Sequence, residues 1–134
     1  MKKIILSSIL MLASTNIFAY EVSSFNEMKT AVIDGHRITL VIDFAKCGLP
    51  IQNFAQFTPD ALQVVGDHIS TSLMHFTLNN PKWKDYPVNE YVSFQVNADN
   101  TLVLTSQTLD VKTYEGLGKF SVTCHMGSGV RVYY

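Results

Sequence analysis

The chain has 134 residues, of which 47% are hydrophobic and 16% are charged, and its formal net charge is −1. This length fits one domain that is large enough to bury a core. Nucleic-acid binding depends on clustered positive charge, and the chain has no basic tract, so the composition argues against a nucleic-acid partner.

The N-terminal segment MKKIILSSILMLASTNIFA has the form of a secretory signal peptide. Lys2 and Lys3 precede a short apolar run, and a small residue, Ala19, stands at the expected cleavage point. The run is too short to cross a bilayer as a helix, which needs about 20 apolar residues. The alternative is a buried helix or a retained anchor. We predict a signal peptide over residues 1–19 and a soluble domain over residues 20–134, located in the periplasm or secreted.

The segment SSFNEMKTAVIDG predicts the one clear helix. Ser24 and Glu27 form the S-x-x-E pattern of a capping box, in which each side chain satisfies the other residue's backbone N–H. Phe25, Met28 and Val32 fall on one stripe, which we interpret as a core face. Gly35 fits the left-handed position that commonly follows a helix.

The rest of the chain reads mainly as antiparallel strands, because apolar and polar residues alternate with period two. In DHISTSLMHFTL the alternation changes phase, which predicts a β-bulge near Leu73 and Met74. Residues 48–66 have no consistent period, and we expect an irregular loop there with a helical turn over residues 59–65. The expected inward-facing residues of the regular strands are Ile38, Leu40, Ile42, Phe44, Val88, Val92, Phe94, Val96, Leu102, Leu104, Phe120, Val122, Cys124 and Met126.

The two cysteines, Cys47 and Cys124, are expected to form a disulfide. An even count in an exported chain favours a covalent bridge. Thiol catalysis and metal binding are the alternatives, but a thiolate metal site usually has more ligands of this kind. Strand alternation also places Cys124 on the inward face and His125 on the other, so the pair cannot easily act together on one substrate or ion.

Two segments, FNEMKTAVIDGHRITLVIDFAKC and FSVTCHMGSGVRVYY, resemble the two ends of the VirK family of small exported bacterial proteins. The shared features are the helix ending at Gly35, the strand that closes with Asp43 and Cys47, and the terminal Cys124 with its Gly-x-Gly turn and Arg131. The resemblance covers residues 25–133, with a divergent middle. It implies export and an association with virulence or host contact, and it carries no catalytic residues.

The loop NNPKWKDYPVNEY is the candidate binding surface, because aromatic residues among scattered charges are typical of interaction hot spots. The alternative for Trp83 is that its ring folds down to cap one end of the sheet. The candidate binding residues are Trp83, Tyr86, Tyr91, Lys82 and Lys84.

Catalytic motifs are missing from the sequence: there is no H-E-x-x-H helix, no paired Cys-x-x-Cys and no G-x-S-x-G elbow. Asp43 could act as a general acid or base, although such a residue more often binds backbone donors of the following turn. His68 and His75 should lie on opposite faces of a regular strand. No cofactor or metal is expected, and an enzyme is the less favoured interpretation.

Together these features predict an α+β domain in which one N-terminal helix packs on an antiparallel sheet of five or six strands, with the bridge Cys47–Cys124. The favoured function is an exported protein that binds a protein partner of the host or the cell envelope. The alternative is a small-molecule enzyme or carrier with a pocket between helix and sheet. An enclosed pocket with converging His and Asp side chains would favour that alternative.

Overall fold

The computed structural model describes residues 19–134, so the predicted signal peptide lies outside the described residues apart from Ala19. The described chain contains one helix and nine strands. In chain order these are β1 Glu21–Val22, α1 Phe25–Ile33, β2 Thr39–Asp43, β3 Phe54–Phe57, β4 Gln63–Val65, β5 His68–Thr77, β6 Val88–Asn97, β7 Thr101–Asp110, β8 Gly116–His125 and β9 Val130–Tyr133.

The helix begins and ends where the sequence predicts, although the capping contacts differ in one detail. Ser24 Oγ accepts a hydrogen bond from the Glu27 N–H at 3.3 Å, as expected of an N-cap. The Glu27 carboxylate, however, accepts from the N–H of Ser23 at 2.8 Å, and not from that of Ser24. Gly35 has φ +80°, the left-handed conformation that lets the chain leave the helix.

The strands form two antiparallel sheets rather than one. The first has four strands in the order β1-β9-β2-β3, and the second has five in the order β4-β5-β6-β7-β8. The α+β class, the single helix and the antiparallel pairing are confirmed. The short strands β1, β3 and β4, of two to four residues each, lie at the margins of the two sheets.

The core fills the space between the inner faces of the two sheets and the helix. Phe25, Met28 and Ala31 of α1 are buried in the same apolar cluster as Leu40 and Leu102. The Phe25 N–H also donates to Asn100 Oδ1 at 2.7 Å, which fixes the start of the helix beside the β6–β7 turn. We call this part of the five-stranded sheet the closed half; its inner-face residues are Ile69, Phe94, Val96, Leu102, Leu104, Val122 and Cys124.

Two local predictions about the less regular segments are wrong. Strand β5 pairs with β6 without a register shift from His68 to Thr77, so there is no bulge at Leu73 and Met74. The phase of the pattern changes because Met74 and Phe76 point to the outer face, where they are more than half exposed. Residues 59–65 contain no helical turn, and the strand β4 occupies the end of this segment.

The predicted disulfide between Cys47 and Cys124 is present, with the two Cα atoms 4.7 Å apart. It joins the segment after β2 to β8 and therefore connects the two sheets. Gly129, in the turn before β9, passes so close that a Cβ atom there would lie 2.6 Å from Cys47 Sγ. Within residues 19–134, no helix has the length and apolarity needed to cross a membrane.

Candidate functional site

A groove with a volume of about 730 Å³ opens between the two sheets, beyond the packed core. Its size falls within the range of roughly 300–1,000 Å³ that is typical of ligand sites. Its floor is the part of the five-stranded sheet that the helix and the first sheet leave uncovered, which we call the open half. The inner-face residues of the open half are Leu73, His75, Glu90, Val92, Ser106, Thr108, Gly118 and Phe120.

Aromatic side chains from four segments of the chain line the groove. Phe44 and Phe57 come from the end of β2 and from β3, Phe120 comes from β8, and Trp83 comes from the loop between β5 and β6. Phe120 shares the inward parity of Cys124, as predicted, yet 47% of it is exposed because nothing packs above it in the open half. Such a wall of rings offers a ligand a large apolar contact area.

A small polar cluster lies on the floor of the groove. His75 and Glu90 are directly opposite each other on β5 and β6, and His75 Nδ1 lies 3.2 Å from Glu90 Oε2. The other carboxylate oxygen, Oε1, accepts from Asn80 Nδ2 at 2.7 Å. Glu90 is thereby held from both sides, and its contact with Nδ1 leaves the Nε2 atom of His75 for a ligand.

The loop over residues 78–87 is fastened to the sheet at two points. Near its start, Asn80 bonds Glu90, and its Oδ1 accepts the N–H of Trp83 at 3.2 Å. Near its end, the Tyr86 hydroxyl donates to Asp110 Oδ2 at the end of β7. These anchors hold Trp83 half-buried at the groove, with Lys82 Nζ 5.7 Å from the centroid of its ring.

Asp110 is an acceptor for three donors, which explains its low pKa. The Tyr86 hydroxyl, together with the backbone N–H groups of Thr113 and Lys112, lowers the pKa of Asp110 from 3.8 to about 2. The same contact raises the pKa of Tyr86, because the carboxylate favours the protonated hydroxyl. The pair therefore stabilises a neutral tyrosine and an ionised aspartate at neutral pH.

The structure brings only some of the predicted binding residues together. Trp83 and Lys82 border the groove. Tyr86 anchors the loop, and Lys84 is exposed on it. Tyr91 lies on the outer face of β6, opposite Met74 on β5, so it does not share a surface with Trp83's groove.

The remaining candidates for chemistry take ordinary structural positions. Asp43 Oδ1 accepts the N–H of Lys46 at 3.4 Å in the turn after β2, which agrees with the structural alternative for this residue. His68 and His75 lie on opposite faces of β5, as predicted for a regular strand. His125 is exposed on β8. In the described part of the chain, no three His, Cys, Asp or Glu side chains come close enough together to hold a metal ion.

Sequence reasoning missed His75, Glu90 and Asn80 as members of one cluster. His75 and Glu90 share the parity of the core-facing residues Leu73 and Val92, which was the available signal. Their register was not predictable, because ten residues, 78–87, connect β5 to β6 and no short turn fixes which residues are opposite.

Taken together, these features define a small disulfide-bridged α+β protein with an open groove between two sheets. A family model described as VirK protein matches residues 21–114. The crystal structure of lpg1832, a VirK family protein from Legionella pneumophila, superposes with a TM-score of 0.82 at 30% identity, covering 85% of this chain and 98% of that one. Among curated proteins, none matches. The chain belongs to the VirK family, as its terminal segments predicted.

Proposed function

We propose that this protein is an exported binding protein whose ligand occupies the groove and contacts Trp83. The observation that carries the proposal is the groove itself, which is lined by four aromatic residues and by the His75–Glu90 pair. Ligand sites commonly combine an apolar wall with a few well-placed polar groups of this kind.

The fastened loop supports the same function. A ligand that binds a preformed site loses less free energy in ordering protein groups than one that binds a mobile loop. Here the anchors at Asn80 and Tyr86 hold the Trp83 ring at the groove before any ligand arrives. Trp83 then fits the hot-spot interpretation better than the interpretation of a ring that caps one end of the sheet.

Export is part of the proposal and is supported by two features. The sequence of residues 1–19 has the form of a signal peptide, and Cys47 is bridged to Cys124, which is typical of an oxidising compartment. The family resemblance adds host contact or virulence as the setting in which a partner would be met. The N-terminal sequence of the exported protein tests this directly: we expect it to begin near Tyr20, and an intact Met1 would contradict export with cleavage.

The chain's single tryptophan makes the groove directly observable, because all tryptophan fluorescence comes from Trp83. Defined panels of peptides, oligosaccharides and fatty acids are titrated while the emission is followed. We expect a saturable change with members of one panel. In the variant Trp83→Ala, binding followed by calorimetry should weaken by more than about tenfold, as for a hot spot, whereas stability should fall by less than about 1 kcal/mol.

Two further variants separate the groove from a general effect on the fold. Phe120→Ala removes an exposed ring from the groove wall and should weaken the same ligand. Tyr91→Ala removes a ring from the outer face of β6 and should leave the affinity unchanged. If Tyr91→Ala weakens binding as much as Phe120→Ala does, the outer face rather than the groove is the binding surface.

One observation favours a second candidate, a small-molecule enzyme or carrier that uses the groove. The contact of 3.2 Å between His75 and Glu90 is the arrangement in which a carboxylate orients an imidazole as a general base. The pocket that this alternative needs lies between the two sheets, and not between helix and sheet as expected. The variant His75→Gln distinguishes the two candidates. If a ligand is turned over by the wild type, and the variant still binds this ligand but no longer turns it over, the enzyme is favoured.

A further inference from the structure

The residues that line the groove follow two different rules, depending on the strand. On the central strands β6 and β7 only alternate residues line it, as in Glu90 and Val92 or Ser106 and Thr108. On β3, β5 and β8 consecutive residues line it, namely residues 55–58, 73–75 and 118–120. Successive side chains of a strand point to opposite faces, so a cavity that touches consecutive residues borders the edge of the strand and not only one face.

The outer edges of all three strands lack a strand partner at the groove within residues 19–134, that of β8 because it is the last strand of its sheet. Strand β3 pairs with β2 on one side and is the last strand of its sheet. Strand β4 pairs with β5 only as far as Ser70, and Thr71 Oγ1 donates to the Ala61 carbonyl just beyond. From residue 72 to residue 77, β5 therefore presents backbone N–H and C=O groups to the groove side without a neighbouring strand.

The edge of β3 is protected only by its length of four residues, and the edge of β5 carries no side chain of the kinds that usually block pairing. Native edges are commonly blunted by lysine, proline or a bulge. The edge strand β8, on the far side of the groove, carries Lys119, and the register of its pairing with β7 shifts at Thr108. In contrast, neither FAQF of β3 nor SLMHFT of β5 contains a lysine, an arginine or a proline, and β5 keeps its register throughout.

Exposed apolar side chains flank the same two edges. Phe54 on β3 is 63% exposed, and Met74 and Phe76 on β5 are 57% and 56% exposed. Isolated exposed apolar residues are common on protein surfaces, but these three lie on the two strands whose edges are open. Met74 lines the groove, whereas Phe54 and Phe76 lie on the outer faces of their strands beside the open edges.

From these observations we propose that the groove binds an extended polypeptide segment, which adds as a strand to the edge of β5 over residues 72–77, facing β3. Backbone hydrogen bonds to the open edge hold the segment. Its alternate side chains enter the groove and contact Phe57, Phe120 and Trp83, and the others point toward solvent beside Met74 and Phe76. This mode of recognition obtains affinity from the main chain and specificity from the pockets for alternate residues. The inference rests on the proposed binding function and names its ligand class.

The test begins with a phage library of random 12-residue peptides selected on the purified protein. Enriched sequences are synthesised and titrated against Trp83 emission. We expect apolar residues at alternate positions and affinities that fall in the Phe120→Ala variant. N-methylation of one peptide backbone nitrogen at a time then tests whether the main chain of the peptide makes hydrogen bonds to the protein. Methyl groups on every second residue should each weaken binding roughly fivefold to tenfold, the loss expected for one hydrogen bond. Methyl groups on the intervening residues should have little effect and are the matched control.

Amide hydrogen exchange followed residue by residue provides the second measurement. In the free protein the outward-pointing amides of residues 72–77 should exchange quickly, and the peptide should slow them. Suppose that a peptide changes Trp83 emission while N-methylation of alternate residues has no alternating effect on its affinity. That result would overturn strand addition but would still support a ligand that binds in the groove. Absence of any peptide whose binding depends on the groove would also overturn strand addition. A dimer whose amides at residues 72–77 are already slow would assign the edge to a second copy of the chain.

Discussion

The closed and open halves of the five-stranded sheet are built from the same four strands, β5 to β8, yet they have opposite surroundings. In the closed half, Ile69, Val96 and Leu102 are buried under the helix and the first sheet. In the open half, the same inner face carries His75, Glu90 and Thr108 and borders a groove. The strands are longer than the core that covers them, so one end provides stability and the other end is available for binding.

The residue types change where the cover ends, and this change shows how the difference is encoded. Along the inner face of β7, the residues proceed from Leu102 and Leu104 to Ser106 and Thr108. Along β8, Cys124 and Val122 give way to Phe120 and Gly118. Thr108 is only half-buried at the groove and keeps part of its hydration, so it costs less there than a polar group buried without a partner.

The largest expected effect comes from breaking the bridge that ties the two sheets together at the closed half. The double variant Cys47→Ser and Cys124→Ser should lower the free energy of unfolding by about 2–5 kcal/mol, because the bridge closes a long loop in the unfolded chain. The measurement is urea denaturation of both proteins. Thiol titration of unreduced, denatured wild type should find no free thiol, and two titratable thiols would contradict the bridge.

A pair of substitutions on β5 compares the two environments within one strand. Ile69→Ala removes a side chain that is 1% exposed and should cost about 2–5 kcal/mol, through lost burial and the cavity that remains. Met74→Ala removes an exposed side chain of the open half and should change stability by less than about 0.5 kcal/mol. Equal losses in denaturant titrations would mean that the open half is packed in solution against something that buries Met74.

Two glycines provide a smaller contrast between the halves. A Cβ at Gly129 would lie 2.6 Å from Cys47 Sγ, so Gly129→Ala must displace the disulfide or the turn and should cost about 1–3 kcal/mol. Gly118→Ala is the control, because a Cβ there meets no atom within 4 Å. Thermal denaturation of both variants is sufficient, and a wild-type melting temperature for Gly129→Ala would show that the turn is not constrained by the bridge.

The helix and most of the closed half were predictable because local rules determine them. The cap at Ser24 and Gly35 marks the ends of the helix, and period-two alternation assigns the inward residues of β6, β7 and β8. The pairing of Cys47 with Cys124 followed from an even count and an inward parity. These signals act over a few residues and do not require knowledge of which strands are neighbours.

The open half was not predictable for a physical reason that β5 illustrates. If all apolar residues of β5 point inward, Met74 and Phe76 require a bulge, and this is why the sequence predicted one. In the structure these two residues point outward beside an open edge. The short strands β3 and β4 have too few residues to show a period. Without them, neither the second sheet nor the groove between the sheets can be inferred, and Glu90 reads as an ordinary strand residue.

The smallest expected effect concerns the contact between Tyr86 and Asp110, which fastens the loop to the open half. The pKa of Asp110 is about 2 in the folded protein against an ordinary value of 3.8. Because the folded value is the lower one, this carboxylate stabilises the fold fully above pH 3.8, and the contribution is lost as the pH falls from 3.8 toward 2. The loop should therefore loosen in this interval as Asp110 takes up a proton.

Trp83 emission reports the loop, and far-ultraviolet circular dichroism reports the sheets, so one acid titration follows both regions. In wild type the emission should change as Asp110 is protonated. In Tyr86→Phe the hydroxyl that makes this contact is absent, so the emission should already have its loosened value at neutral pH and should change little as Asp110 is protonated. Tyr91→Phe, which alters an equivalent ring on the outer face, should follow wild type. If the curves for Tyr86→Phe and wild type coincide while the sheets remain intact, then Asn80 alone fastens the loop, and the groove does not depend on the Tyr86 contact.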